Sequence, residues 1–202
     1  MRLKKIFYMF GVLLLLSCTV DIDYTLYEKR IDLPLMGAQY GVSLNFYAVK
    51  KVPLEVLKDL VIQDAYFNFT ATSTKDMTFK IMVQDTGPSD DLTLYATCSP
   101  EYACTGIYAV YKKTPDYIIQ SPVLISGSVN GRRDFEHVEP EPEAITKIEN
   151  AFSKGTVWVV VNVSTPSPLY FNNDSLHIQD LEGIFKVQKK MSSFSGLIGG
   201  VF

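Results

Sequence analysis

Apolar and polar residues alternate at every second position through much of this chain. Val42, Leu44, Phe46 and Ala48 alternate with Ser43, Asn45 and Tyr47. Ala65, Phe67, Phe69 and Ala71 alternate with Tyr66, Asn68, Thr70 and Thr72, and Met77, Phe79, Ile81 and Val83 with Thr78, Lys80, Met82 and Gln84. Leu92, Leu94 and Ala96 repeat the pattern against Thr93, Tyr95 and Thr97. A two-residue period buries one face of a strand and leaves the other in water. Further strands are expected over 24–33, 106–112, 117–126, 175–179 and 183–189. The run 157–163 is apolar on both faces and is expected at the centre of a sheet.

Turn chemistry separates these runs. The segments 85–91 (DTGPSDD), 112–116 (KKTPD) and 164–168 (STPSP) are rich in Pro, Gly, Ser and Asp. Asn130-Gly131 is a two-residue hairpin signal and predicts that the strand ending near Val129 pairs with 132–138. One helix is expected over 142–154. Pro142 and Glu143 suit its first turn, Ala144, Ile145, Ile148, Ala151 and Phe152 share one face, and Lys154 and Gly155 close it. A short helical turn is expected within 51–60. The expected fold is mainly β: an antiparallel β-sandwich-like domain over 24–202, with one amphipathic helix across an end or edge. The run 67–87 resembles the strand pairs of immunoglobulin-like or desiccation-related sandwich domains. That resemblance adds to the sandwich expectation and assigns a role to no residue.

The first 18 residues carry a different signal. Arg2, Lys4 and Lys5 precede 11 uncharged, mostly apolar residues, Ile6 to Leu16. A bilayer-spanning helix needs about 20 apolar residues, whereas a secretory h-region is shorter. The run ends Leu15-Leu16-Ser17-Cys18, which resembles the lipobox of bacterial lipoproteins. The resemblance implies a diacylglycerol thioether on Cys18, cleavage after Ser17 and acylation, such as palmitate, of the new amino terminus. Residues 1–17 are then a signal peptide and 18–23 a lipidated Cys with a short tether. Thr19, where Asp would favour the inner membrane, implies the cell outer membrane. Two or three acyl chains anchor a protein stably without any apolar surface on its folded part. The expected location is the bacterial cell envelope, with the membrane as the first partner.

The whole chain has 19 basic and 22 acidic residues, for a net charge of -3. Loss of residues 1–17 removes three basic residues and no acidic one, leaving 16 against 22 and a net of -6. An acidic domain offers no broad basic surface to nucleic acid and stands off an anionic bilayer. With Cys18 acylated, Cys98 and Cys104 remain as a pair in an exported chain, which favours a disulfide closing a small loop. The tail 192–202 (SSFSGLIGGVF) is apolar yet rich in Gly and Ser, and is expected as a loosely packed, flexible end, with a last edge strand or a docking peptide as the alternatives.

Catalytic signals are few. There is no G-x-S-x-G, no P-loop and no dinucleotide G-x-G-x-x-G. His137 and His177 are the two histidines, and neither sits in a catalytic motif. Glu136, His137, Glu139, Glu141 and Glu143 crowd together, but Pro140 and Pro142 extend the segment and spread its carboxylates. Asp85, Asp90 and Asp91 lie in a Gly/Pro loop without the spacing of a calcium loop. No cofactor, metal or catalytic residue is assigned. Tyr95, Tyr102, Tyr108, Tyr111 and Tyr117 cluster around the Cys98–Cys104 loop, and exposed tyrosines suit carbohydrate or protein recognition. The expectation is a non-enzymatic envelope lipoprotein acting as a structural, assembly or binding module. The alternatives are a carbohydrate- or protein-binding receptor that uses those tyrosines, or a hydrolase with a site of unfamiliar type.

Overall fold

The computed structural model describes residues 19–33, 35, 45–54, 56, 60–87, 94–98, 108–111, 115–167 and 174–190. Among them are eight strands and two helices. In chain order these are β1 (Thr19–Asp32), β2 (Asn45–Pro53), β3 (Leu60–Gln84), β4 (Leu94–Cys98), β5 (Tyr108–Tyr111), α1 (Asp116–Ile119), β6 (Val123–Val138), α2 (Pro142–Lys154), β7 (Thr156–Ser164) and β8 (Leu176–Lys190). All strand pairings are antiparallel, in the order β1-β8-β3-β7-β2-β5-β4, with β6 on the other side of β3. The mainly β, antiparallel, sandwich-like expectation stands.

The organising element is β3, whose 25 residues would span about 80 Å if straight. One edge pairs with β6 from Phe67 to Met82. The other edge pairs with β8 from Leu60 to Ser73, then with β7 from Thr78 to Gln84. A single strand thus belongs to two wings, β1-β8 and β7-β2-β5-β4. Where the partner changes, Thr74, Lys75 and Asp76 form a wide irregularity between the Ser73 and Met77 pairings. The Ser73 hydroxyl donates to the Lys75 and Val129 carbonyls, Lys75 meets Asp174 at 3.1 Å, and the Thr165 hydroxyl donates to the Asp76 carbonyl. The end of β7 and the start of β8 are stitched to the bend.

The sequence splits this stretch into two strands and resembles an immunoglobulin-like pair; the structure joins them into one bent strand. The Asn130-Gly131 hairpin is likewise corrected. Here β6 runs straight through it, with Gly131 at φ 76° opposite Ser73. The extra residues at this level, Thr74 to Asp76, lie on β3, and β6 keeps its partner on both sides of the left-handed Gly131, so no turn is needed. The expected strand 117–126 becomes α1 followed by β6. Pro115 opens the helical turn, with its carbonyl accepting from Ile118 and Ile119 N–H. The helical turn sought within 51–60 is not seen over its first residues, since β2 continues to Pro53 and β3 opens at Leu60. The expected break between 179 and 183 is a bulge inside β8.

Both wings share one core. Phe67, Phe69, Ala71, Met77, Phe79 and Ile81 from β3 pack with Leu176 and Ile178 of β8, Val161 and Val163 of β7 and Ile125 of β6. Phe69 stacks on Phe135 at 4.7 Å, and Phe79 meets both rings edge-on at 6.1 Å. Each such buried side chain contributes about 1.5–3 kcal/mol. On the opposite face of β2, β3 and β7, Ile118 of α1 is fully buried against Val49, Met82 and Val160.

Helix α2 forms as the sequence predicts, with Pro at its start and Gly155 at φ 73° as its left-handed end. Its apolar face does not cap an edge. Ala144, Ile148 and Ala151 pack on Ile62 and Ala65 from the start of β3 and on Val83 from its end. Glu149 accepts from the Ile62 N–H at 2.6 Å, while Lys147 and Lys154 reach Asp85 at 2.9 and 2.8 Å. The helix therefore ties together the two ends of the curled strand. Burial would raise the Asp85 carboxyl, but hydrogen bonds and charge from Lys154 and Lys147 outweigh it and hold the group below its ordinary value.

A carboxyl lowered by folding stabilises above its unfolded pKa, and that contribution disappears as pH falls through the lower folded value. Asp85→Asn should cost about 1–2 kcal/mol near neutral pH, since both ammonium partners are partly exposed. Urea denaturation across pH should show the gap from wild type closing below pH ~4; a gap independent of pH would refute the clamp.

Candidate functional site

Three strands break their register at one level of the sheet. Between β3 and β6 the shift lies between the Phe67 and Phe69 pairings, placing Glu136 and His137 opposite Asn68. Between β3 and β8 it lies between Asn68 and Thr70, placing Asp180 and Leu181 opposite Phe69. His137 (φ 50°) and Asp180 (φ 49°) are the described non-glycine residues with positive φ, a conformation that costs energy and clusters at functional sites.

Asn68 sits between these two bulges and ties them together. Its carbonyl accepts from the His137 N–H at 2.9 Å, and its amide donates to Glu182 at 3.2 Å. His137 is further held by stacking on Tyr66 at 4.4 Å and by Glu139, 3.4 Å from Nε2. Asp180 accepts from the Tyr27 hydroxyl at 2.8 Å, and that hydrogen bond pushes the exposed Tyr27 phenol up.

The bulges open a shallow groove across β1, β8, β3 and β6. Tyr27, Asn68, Thr70, Asp134, Glu136, Asp180 and Glu182 line it, with Phe69 and Phe135 at its floor. The Thr70 hydroxyl donates to Asp134 at 2.7 Å. Four carboxylates beside a phenol, an amide and a hydroxyl make an acceptor-rich surface. It suits a partner that brings donors, such as hydroxyl-rich or basic groups. No group of three or more His, Cys, Asp or Glu able to hold a metal ion occurs among the described residues.

The residues singled out from sequence lie elsewhere. Cys18 and Cys104 fall outside the described residues. Cys98 ends β4, where its backbone pairs with Tyr108. Tyr102 is also outside, and Tyr95 and Tyr111 are placed by backbone only, in β4 and β5. Tyr108 is corrected: at 4% exposure it belongs to the core, and burial pushes its phenol up to about 12, so it presents no ring to a ligand. Tyr117 is exposed on α1, its hydroxyl donating to the Gly87 carbonyl. Of these tyrosines, Tyr108 and Tyr117 have described side chains, one in the core and one exposed on α1.

His177 pairs with Asp32, and Arg30 reaches both, at 2.7 Å to Asp32 and 3.3 Å to the ring. Its cross-strand neighbour Thr72 gives its hydroxyl to Gln179 instead. The acidic run 136–143 disperses: Glu136 faces the groove, Glu139 meets His137, and Glu141 accepts from the Val123 N–H at 2.8 Å. Asp85 is engaged by two lysines, and Asp90 and Asp91 lie outside the described residues.

Asn68→Ala should lower stability by about 1–2 kcal/mol by stranding the His137 amide and Glu182. Amide exchange at His137 should quicken; unchanged exchange would show that Asn68 does not hold the bulge.

No family model and no curated protein matches this chain. Among solved structures it is similar to the apo VP1 of chimpanzee polyomavirus, at 10% identity over 86% of this chain and 94% of that one, with a TM-score of 0.20. VP1 of the Trichodysplasia spinulosa-associated polyomavirus aligns at 8% identity over the same shares, with a TM-score of 0.15. Overlaps this loose carry no argument about what the chain does.

Proposed function

We propose that this chain is a bacterial envelope lipoprotein, anchored at the outer membrane through acylated Cys18, that works by binding or assembly and not by catalysis. The observation that carries this reading is the junction of two features. The lipobox ends at Cys18, and β1 opens at Thr19, so the acylated residue adjoins the first strand. Residues 19–23, expected as a short tether, are the first residues of β1, so in this reading the folded sheet is presented from the membrane by its own edge strand.

The groove over Asn68 supplies the contact surface in this reading. Its acceptors favour a donor-rich partner, either an envelope protein with a basic segment or a carbohydrate. This moves the recognition surface expected around Tyr95, Tyr102, Tyr108, Tyr111 and Tyr117 to Tyr27 and the carboxylates of β6 and β8.

Cys18→Ala should abolish palmitate labelling and release the protein from the membrane pellet; continued labelling would refute the anchor. Asp134→Lys combined with Glu136→Lys reverses two exposed charges of the groove. This variant should remain membrane-bound yet lose the partners that co-purify with the wild type, or its signal on a glycan array. An unchanged set of partners and glycans would move binding away from the groove.

A further inference from the structure

Edge strand β1 carries an apolar stripe that nothing among the described residues covers. Ile22, Tyr24 and Leu26 are 47%, 53% and 42% exposed. They stand opposite Val187, Phe185 and Gly183 of β8, and directly opposed residues share a face of the sheet. Val187 belongs to the core under α2, and Phe185 packs on both that core and the core shared by the wings. Tyr24 and Phe185 are 6.3 Å apart. The stripe is thus the core-facing side of the sheet, extended one strand beyond its cover. Exposed edges and apolar patches are ordinarily shielded.

We propose that the segment 191–202 of this same chain folds back onto this stripe and completes the core beside β1. Position and reach favour it. Lys190 ends β8 and pairs with Thr19, three residues before Ile22, and residue 191 follows it in sequence. The stripe runs over five residues, Ile22 to Leu26, a span of about 13 Å, and twelve residues extend to about 40 Å. The tail has reach to spare after reversing direction at Ser192-Ser193. Its composition matches as well. Residues 191–202 carry no charge and offer Phe194, Leu197, Ile198, Val201 and Phe202. Small residues Ser195, Gly196, Gly199 and Gly200 lie between them, allowing close approach to the sheet. A bilayer fits the stripe less well, because Glu28 continues the same alternation on β1 and would meet anionic headgroups. The inference does not depend on acylation of Cys18.

The test places a benzophenone amino acid at position 24 of the full chain and irradiates intact cells. The expected product migrates at the monomer mass, and its peptides join the region of residue 24 to residues 191–202. Ending the chain at Met191 should abolish that product, and the same probe at Tyr117, on the short helix α1, should not form it. A product at twice the chain mass would assign the stripe to a second copy. Adducts with lipid or with another protein would assign it to those partners. Either result, or the lack of any monomer-mass product, overturns the proposal.

Discussion

The fold depends on the closure of one long strand by one short helix. A 25-residue strand brings its ends to within reach of a 13-residue helix only if it curls. The helix is about 20 Å long, a quarter of the extended length of β3. Glu149 grips the start of the strand at Ile62, and Lys147 and Lys154 grip Asp85 just beyond its end. Apolar packing of Ala144, Ile148 and Ala151 against both ends supplies most of the adhesion, and the polar contacts fix the register. This tie adds to the phenylalanine core that the two wings already share.

Curling has a local cost, met by bulges. Along β3 the pairing departs from regularity near Gln63, at Asn68–Phe69, at Thr74–Asp76 and at Ile81–Met82. A bulge bends its strand and raises the local twist. The set at Asn68–Phe69 is unlike the others because strands on both sides of β3 break at the same level. That coincidence puts His137 and Asp180 in left-handed conformations and opens the acidic groove. The groove is thus a by-product of the same bending that closes the core, and Asn68 is the residue that joins the two.

Much of the fold can be read from the sequence, for physical reasons that differ by element. Helix α2 is legible because its caps and its apolar stripe are both local. The strands are legible because alternation is local too. Their continuity is not. Asn130-Gly131 has strong turn chemistry, yet β3 supplies β6 with a partner on each side of it, and long-range pairing overrides the turn. The bulges did leave a trace. Apolar positions run 176, 178, then 181, and again 135, then 138; an interval of three in a two-residue period marks an extra residue. Read as a break between strands, the first of these hides the groove. Tyr27, Asn68, Asp134 and Glu182 come from four strands and share no motif, so only the sheet register brings them together. Tyr108 shows the opposite failure, since a residue grouped with recognition tyrosines is a core residue.

The junction of Cys18 with β1 also has a mechanical meaning. Any tension between an attachment at that residue and the body of the protein enters β1 at its first residue and runs along the strand. The thirteen register pairs between β1 and β8 then resist together in shear, instead of opening one after another as in a zipper. Attachment at the other end of the sheet, where β4 and β5 pair over only a few residues, would offer no comparable grip. The first strand is therefore held along its whole length and not at one end alone.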